Sequence, residues 1–259
     1  MSKDKDTDSF ASQLRALVLL AGPLVANNLA IAGMGFADTV MAGRLGTTDL
    51  AAVALGSNLW MVAFLFGLGV LMAMSPTAAQ SFGAGKSRDV GIYTRQCLWL
   101  SQALALISML ALGRSEWLLI VIGVDPSVIP LTSGYLEAIS WGLPAMYAYL
   151  SLRFMSEGVG WTRPIAYVAV LALLVNVFLN WVFMFGKLGF PAMGAVGCGV
   201  SSAVTMWIMM ATMTRYVLRH HRYRSFRLME RFDPPDWKKL RELLALGLPI
   251  TASVLSEVG

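Results

Sequence analysis

The sequence predicts an all-α, polytopic membrane protein: a six-helix transmembrane lobe plus the start of a seventh helix. Three observations predict it. The 259 residues are 57% hydrophobic and 14% charged, with a mean hydropathy of +0.65, whereas soluble domains carry about 45–50% apolar and about 25% charged residues. Six stretches are long and apolar enough to cross a hydrocarbon core roughly 30 Å thick, which takes about 20 residues. Of the 20 Lys and Arg residues, 17 fall on one side of the alternating connectors. So apolar a chain inserts or collapses, which excludes disorder. Its two cysteines, Cys97 and Cys198, both lie beside apolar runs. They exclude a disulfide scaffold and leave the redox compartment open.

The elements follow in order. Residues 1–13 read as a cytoplasmic tail, polar and loose over Met1–Ser12. The predicted spans are 17–39, 52–74, 97–113 with an extension to about 122, 132–152, 165–185 and 196–218. The first is too long, and lacks a small-residue cleavage site, to be a removed signal peptide. Gly43-Arg44-Leu45-Gly46, Gly83-Ala84-Gly85-Lys86, Asp125-Pro126, Gly158 to Pro164 and Gly186 to Gly194 separate the spans, because Gly and Pro supply backbone angles that helices do not use. A longer basic linker occupies 219–239 and contains Pro234-Pro235; a seventh span begins near Leu243. The expected organisation is thus tail 1–13, lobe 14–218, cytoplasmic linker 219–239, and the beginning of a second lobe, 240–259.

Orientation comes from the charges. Lys3, Lys5 and Arg15, then Lys86, Arg88 and Arg95, then Arg153 and Arg163, and nine residues from Arg215 to Arg241 share one side; Arg44, Arg114 and Lys187 lie on the other. Lys and Arg resist translocation, so the rich side and the N-terminus are expected in the cytoplasm. The run Arg215–Arg231 reads as a solvated loop near anionic headgroups. Nucleic-acid binding is not supported by a basic connector with no domain around it. His220 and His221 lack further metal ligands at suitable spacing and read as loop residues.

An internal repeat appears at an offset of 226 residues. Leu14–Gly33 aligned with Leu240–Gly259 gives eight identities in 20 positions, including Arg15/Arg241 and Pro23/Pro249. Repeated six-helix units in the same orientation are a known transporter architecture, so the expectation is the first half of a protein nearly twice as long. By itself the chain is not expected to transport.

Ionisable residues at membrane depth cost about 2.5–3.5 kcal/mol or more on insertion scales and face protein or water, which makes them site candidates. Asp38 follows Gly33 and Gly35 near the end of the first span. These glycines leave room for a neighbouring helix or an ion, and the bland alternative is an interfacial cap on the turn at Gly43. Glu257 lies inside the seventh span. Glu137, beside Tyr135 near the outer end of the fourth, is a further candidate for which an interfacial place is the stronger reading. Asn176 and Asn180, four apart, share one helix face. They can coordinate a hard cation, with Asp38 as the carboxylate, or bridge helices, which is the commoner role. Pro23, Pro144 and Pro249 fall within spans as candidate kinks. The glycine-rich Gly194–Gly199 opens a membrane helix rather than following a soluble strand, so it fails as a dinucleotide loop. Ser201-Ser202 has no His-Asp pattern behind it, and an integral-membrane enzyme would need convergent groups that these few scattered acids do not supply.

These residues carry a resemblance. Gly35-Phe36-Ala37-Asp38-Thr39-Val40-Met41-Ala42-Gly43-Arg44-Leu45-Gly46 with Asp49-Leu50-Ala51-Ala52-Val53 resembles the first-helix signature of the multidrug and toxic compound extrusion (MATE) family, in its NorM-like bacterial branch. Ala79-Gln80 with Gly83-Ala84-Gly85, and Leu179-Asn180-Trp181 through Gly194-Ala195-Val196-Gly197-Cys198-Gly199, are similar to later connectors of that family. The resemblance runs from about Leu14 to the end.

It implies twelve helices in two lobes, a multi-pass protein of the bacterial inner membrane, and export of cationic amphipathic compounds in exchange for H⁺ or Na⁺. No cofactor or enzymatic activity is implied. Asp38 matches the family's first-helix cation site, where Na⁺ is one candidate ion; Glu257 matches the seventh-helix glutamate of the NorM type. Asn176 and Asn180 match fifth-helix polar positions, the second of which is Asp in another branch. The departure is length, because the C-terminal lobe is missing after Gly259. A lipid-linked precursor flippase of the same superfamily is the alternative function, and a self-pairing six-helix subunit a further one.

Overall fold

The computed structural model describes residues 4–228 and 233–258, with side chains from Gly22 onward apart from Leu24, Leu255, Glu257 and Val258. It is helical throughout, with no strand among the described residues: α1 Asp4–Leu45, α2 Thr47–Met72, α3 Met74–Gly83, α4 Ser87–Leu112, α5 Ser115–Ile122, α6 Ile129–Ser140, α7 Leu143–Gly158, α8 Arg163–Phe185, α9 Gly194–Arg219 and α10 Trp237–Val258, with a 3₁₀ turn at His221–Phe226 between the last two. Among the described residues, Thr47–Gly83, Ser87–Leu112, Arg163–Phe185 and Gly194–Arg219 are each long and apolar enough to cross a membrane.

Three expectations are corrected. Residues 4–12 are not a loose tail: α1 is helical from Asp4 onward. The third span does not extend to 122 as one helix; Gly113-Arg114 breaks it, and α5 is a separate short helix closed by Gly123 in the left-handed region at φ 79°. The fourth span is broken as well. Pro144 does not kink a helix but lies in the first turn of α7, where a missing N–H costs nothing. At this break the Trp207 indole N–H of α9 donates to the Trp141 carbonyl at 3.1 Å, and the Gln102 amide of α4 adds a bond to the Pro144 carbonyl at 3.2 Å. Backbone leaves the helical ladder at membrane depth only where protein re-satisfies it in this way. Pro23 and Pro249 do lie inside α1 and α10.

In the packing, α8 lies between α1 and α9; α9 also packs on α6 and α7; and α2 touches α1, α4, α6, α7 and α10. Small residues let these helices approach. Gly67 receives the Tyr147 ring and Gly56 the Tyr135 ring, with no room for a Cβ at either. The Tyr147 hydroxyl donates to the Ala63 carbonyl at 2.8 Å and lies 3.1 Å from the Ser108 hydroxyl. The Thr251 backbone of α10 lies 2.6 Å from where a Gly69 Cβ would stand.

The outside is apolar: Leu29, Phe36, Val62, Leu106, Leu110, Leu174 and Trp181 are exposed, whereas Asn27, Gln96, Ser108, Thr132, Asn176, Asn180 and Thr205 are buried. Polar inside and apolar outside is the reverse of a soluble surface and suits a lipid solvent.

The linker is not a free loop. Arg95 of α4 donates from Nε to Asp233 at 2.8 Å and from its terminal nitrogen at 2.5 Å. Gln96 donates to the Pro234 carbonyl at 3.0 Å and accepts from the Asp236 N–H at 2.7 Å. Tyr93 donates to Glu242 at 2.7 Å. Together they hold the start of α10 to α4.

Candidate functional site

Asp38 lies seven residues before the end of α1, facing α8. The approach is close because Gly33 has no side chain: a Cβ there would stand 3.3 Å from Leu173 of α8. Gly35 borders open space instead.

The 3.6-residue period puts Asn176 and Asn180 on one buried face of α8. The Asn180 amide donates to the Asp38 carboxylate at 2.5 Å and to the Asn176 side-chain oxygen at 3.2 Å. The Asn176 carboxamide and the Cys198 thiol of α9 complete the hydrogen-bond shell of Asp38. Tyr135 of α6 is buried beside Cys198 and Asp38. No Lys or Arg is among the described partners of Asp38. The Asn180 side-chain oxygen is buried and has no hydrogen-bond partner. A buried acceptor without a donor is costly, and here it lies next to a carboxylate that no Lys or Arg among the described residues balances. A small hard cation, or a proton carried on Asp38, satisfies both. The residues present therefore fit the coupling ion expected at Asp38.

The structure brings Asp38, Asn176 and Asn180 together. Glu137 is exposed on α6 and is not among the partners of Asp38. Glu257 falls in α10, with its side chain outside the described residues. Pro144 and Pro249 are not part of the cluster, and Pro23 lies four turns below Asp38 in the same helix.

Sequence reasoning missed Cys198 and Tyr135, which meet the site only through the packing of α9 and α6. It also missed Asn27, fully buried on α1 with an unpartnered side-chain oxygen. Its signal was legible, the amide pair Asn27-Asn28 one turn beyond Pro23 in an otherwise apolar stretch.

The glycine-rich Gly194–Gly199 proves to be a packing device. The Asp49 carboxylate of α2 accepts from the Ala195 N–H at 2.7 Å, occupying the N-terminus of α9. Gly197 packs on the Phe183 backbone and Gly199 on Tyr135. The Ser201 hydroxyl donates to the Gly197 carbonyl at 2.8 Å, a helix back-bond and not a nucleophile's geometry.

A multi-pass helical bundle, apolar outside and carrying a carboxylate–carboxamide cluster within, defines a membrane transporter lobe. The comparisons give the family. The MatE family model matches residues 23–182, and the chain belongs to that family. Multidrug resistance protein NorM of Aliivibrio fischeri is 38% identical over 249 residues, 96% of this chain and 54% of that protein. Multidrug resistance protein MdtK of Yersinia pestis is 38% identical over 247 residues, again covering 54% of its length. The chain thus spans about half the length of the curated relatives it matches. Among solved structures, the eukaryotic MATE transporter AtDTX14 superposes with a TM-score of 0.85 at 19% identity, over 95% of this chain and 54% of that one. An outward-facing multidrug resistance MATE family transporter gives 0.82 at 23%, over 93% and 52%. Both of these solved structures are of MATE transporters.

Proposed function

We propose that this chain is the N-terminal lobe of a secondary-active multidrug antiporter, which with a second six-helix lobe exports cationic amphipathic compounds in exchange for H⁺ or Na⁺. The observation that carries the reading is the Asp38–Asn180 pair: a half-buried carboxylate without a basic partner among the described residues, next to an orphaned, buried carboxamide oxygen. The two multidrug resistance relatives support the same activity.

Asp38 supplies the negative charge, and the Asn180 and Asn176 oxygens supply neutral ligands or acceptors. A coupling ion that neutralises Asp38 removes its attraction for a cationic drug, so ion and drug exclude one another at the carboxylate. Pro23 leaves α1 without one ladder hydrogen bond, which gives the helix a place to bend as occupancy changes. The positive-inside distribution supports a cytoplasmic N-terminus and basic linker, with the bacterial inner membrane as the site of action. The same carboxylate disfavours the flippase alternative, because an uncompensated negative charge repels a phosphate-bearing lipid precursor.

The test is Asp38→Asn in the two-lobed protein, expressed in a drug-sensitive host. The expected result is loss of resistance to cationic drugs at unchanged membrane abundance; retained resistance overturns the assignment.

A further inference from the structure

The basic linker holds an arrangement that ion-coupled transport does not use. Trp161, in the connector before α8, has two guanidinium groups against its ring: Arg222 at 4.0 Å and Arg163 at 5.0 Å from the centroid. His220 lies 5.7 Å from the same ring and stacks on Tyr216 at 5.0 Å and on His221 at 4.5 Å. The Trp161 indole N–H donates to the Tyr216 hydroxyl at 3.2 Å, and Tyr223 is anchored to Ser156 at 2.9 Å. Both guanidiniums are therefore held over one fixed aromatic platform. Both are exposed, and neither has a carboxylate partner among the described residues. Two like charges gathered at one ring repel each other unless an anion lies with them. Nearby positive charge already acts on His220, whose proton affinity is lowered by desolvation and then by His221 and Arg222.

What continues from this cluster identifies the anion. Arg163 is the first residue of α8, and below it Tyr167, Val170, Leu171, Leu174, Val177, Phe178 and Trp181 are all exposed. Their spacing makes one stripe along a helix face, running from the charged platform past the depth of Asn180. A cationic head site at the top of an exposed apolar stripe matches an amphiphile with an anionic head and hydrocarbon tails.

We propose that Arg163 and Arg222, seated on Trp161, form a binding site for the phosphate of an anionic phospholipid whose acyl chains lie along the α8 stripe. The guanidiniums hold the phosphate by charge-assisted hydrogen bonds, which Arg forms in a planar fork. Trp161 and Tyr216 sit at headgroup level, as aromatic belts do. The site goes beyond a general attraction of a basic loop to the membrane, because it assigns two arginines of that surface and leaves Arg215, Arg219 and Arg224 as bulk charge.

The test uses the whole chain in detergent, titrated separately with short-chain phosphatidylglycerol, short-chain phosphatidylcholine and inorganic phosphate, with the His220 ring protons followed by NMR. Phosphatidylglycerol is expected to saturate and to raise the His220 pKa, and the Arg163→Gln/Arg222→Gln pair to weaken it by about tenfold or more. Arg114→Gln, on the opposite side, is expected to leave binding unchanged. Inorganic phosphate binding as tightly as phosphatidylglycerol would show a free-anion site and overturn the lipid assignment. Equal binding of the neutral lipid, or an unchanged titration in the double variant with its helical spectrum intact, would overturn the site itself. If the double variant unfolds, Arg222→Lys gives the deciding result: it keeps the charge but loses the fork, and undiminished affinity there contradicts the proposal.

Discussion

Asp38 of α1 and Asn180 of α8, 142 positions apart in sequence, are joined by a 2.5 Å hydrogen bond. The bond uses the donor end of the carboxamide and leaves its oxygen buried without a partner. One residue thus both steadies the carboxylate and offers an acceptor to whatever neutralises it.

Replacing Asn180 separates these roles. Asn180→Leu removes the donor to Asp38 and the orphaned oxygen together. Leaving the carboxylate short of one charge-assisted bond costs about 1–3 kcal/mol, and ion-coupled efflux is expected to fall with it. Asn180→Asp keeps an oxygen ligand and adds a charge, so it is expected to shift the ion dependence of transport rather than abolish transport. Efflux measured across a series of Na⁺ concentrations and pH values checks both outcomes.

The fit of Tyr147 against Gly67 makes a stability prediction. Gly67→Ala puts a methyl where the ring stands, and overpacking of this kind costs about 1–3 kcal/mol. Thermal unfolding in detergent should show a lowered midpoint. Tyr147→Phe in the same background should recover it only in part, because the methyl meets the ring carbons as well as the hydroxyl.

The Arg95–Asp233 pair should govern how firmly the linker is held. Its side chains are only 13% and 27% exposed, so it is less screened than a surface pair. Arg95→Gln is expected to speed tryptic cleavage after the linker arginines, and Asp233→Asn to do the same. If either variant is cut at the native rate, the clamp is not holding the linker.

The start of α10 carries a pH dependence. The Lys239 ammonium, 2.8 Å from Asp236, holds that carboxyl below its ordinary value, with the Lys238 N–H a lesser cause and desolvation opposing. A carboxyl with a lowered pKa stabilises the fold above the ordinary Asp value of about 3.9 and ceases to as pH falls through the lowered one. Carbon-detected NMR should find Asp236 titrating below a free Asp, and Lys239→Met should move it upward.

Much of this was legible in the sequence. Four of the expected spans were, because lipid demands long apolar runs and Lys and Arg mark their ends. The pairing of Asp38 with Asn176 and Asn180 was, because polar groups at membrane depth are few and two of them share a helix face. The break at Gly142 was not: Pro144 reads equally as a kink or as the first turn of a helix, and only the Trp207 and Gln102 donors show which. Cys198 reads as a thiol in an apolar run, since nothing local says that α9 carries it to Asp38. The run Arg215–Arg231 reads as a solvated loop, since nothing local says that Arg95 donates to the Arg227 and Leu228 carbonyls from more than 130 positions away.

The most direct test of the central claim is drug transport in inverted membrane vesicles carrying the two-lobed protein, driven by an imposed H⁺ or Na⁺ gradient, with Asp38→Asn beside the native protein at matched abundance. The account predicts gradient-driven uptake of a cationic drug by the native protein and its loss in the variant. Undiminished, gradient-dependent uptake by Asp38→Asn would contradict it.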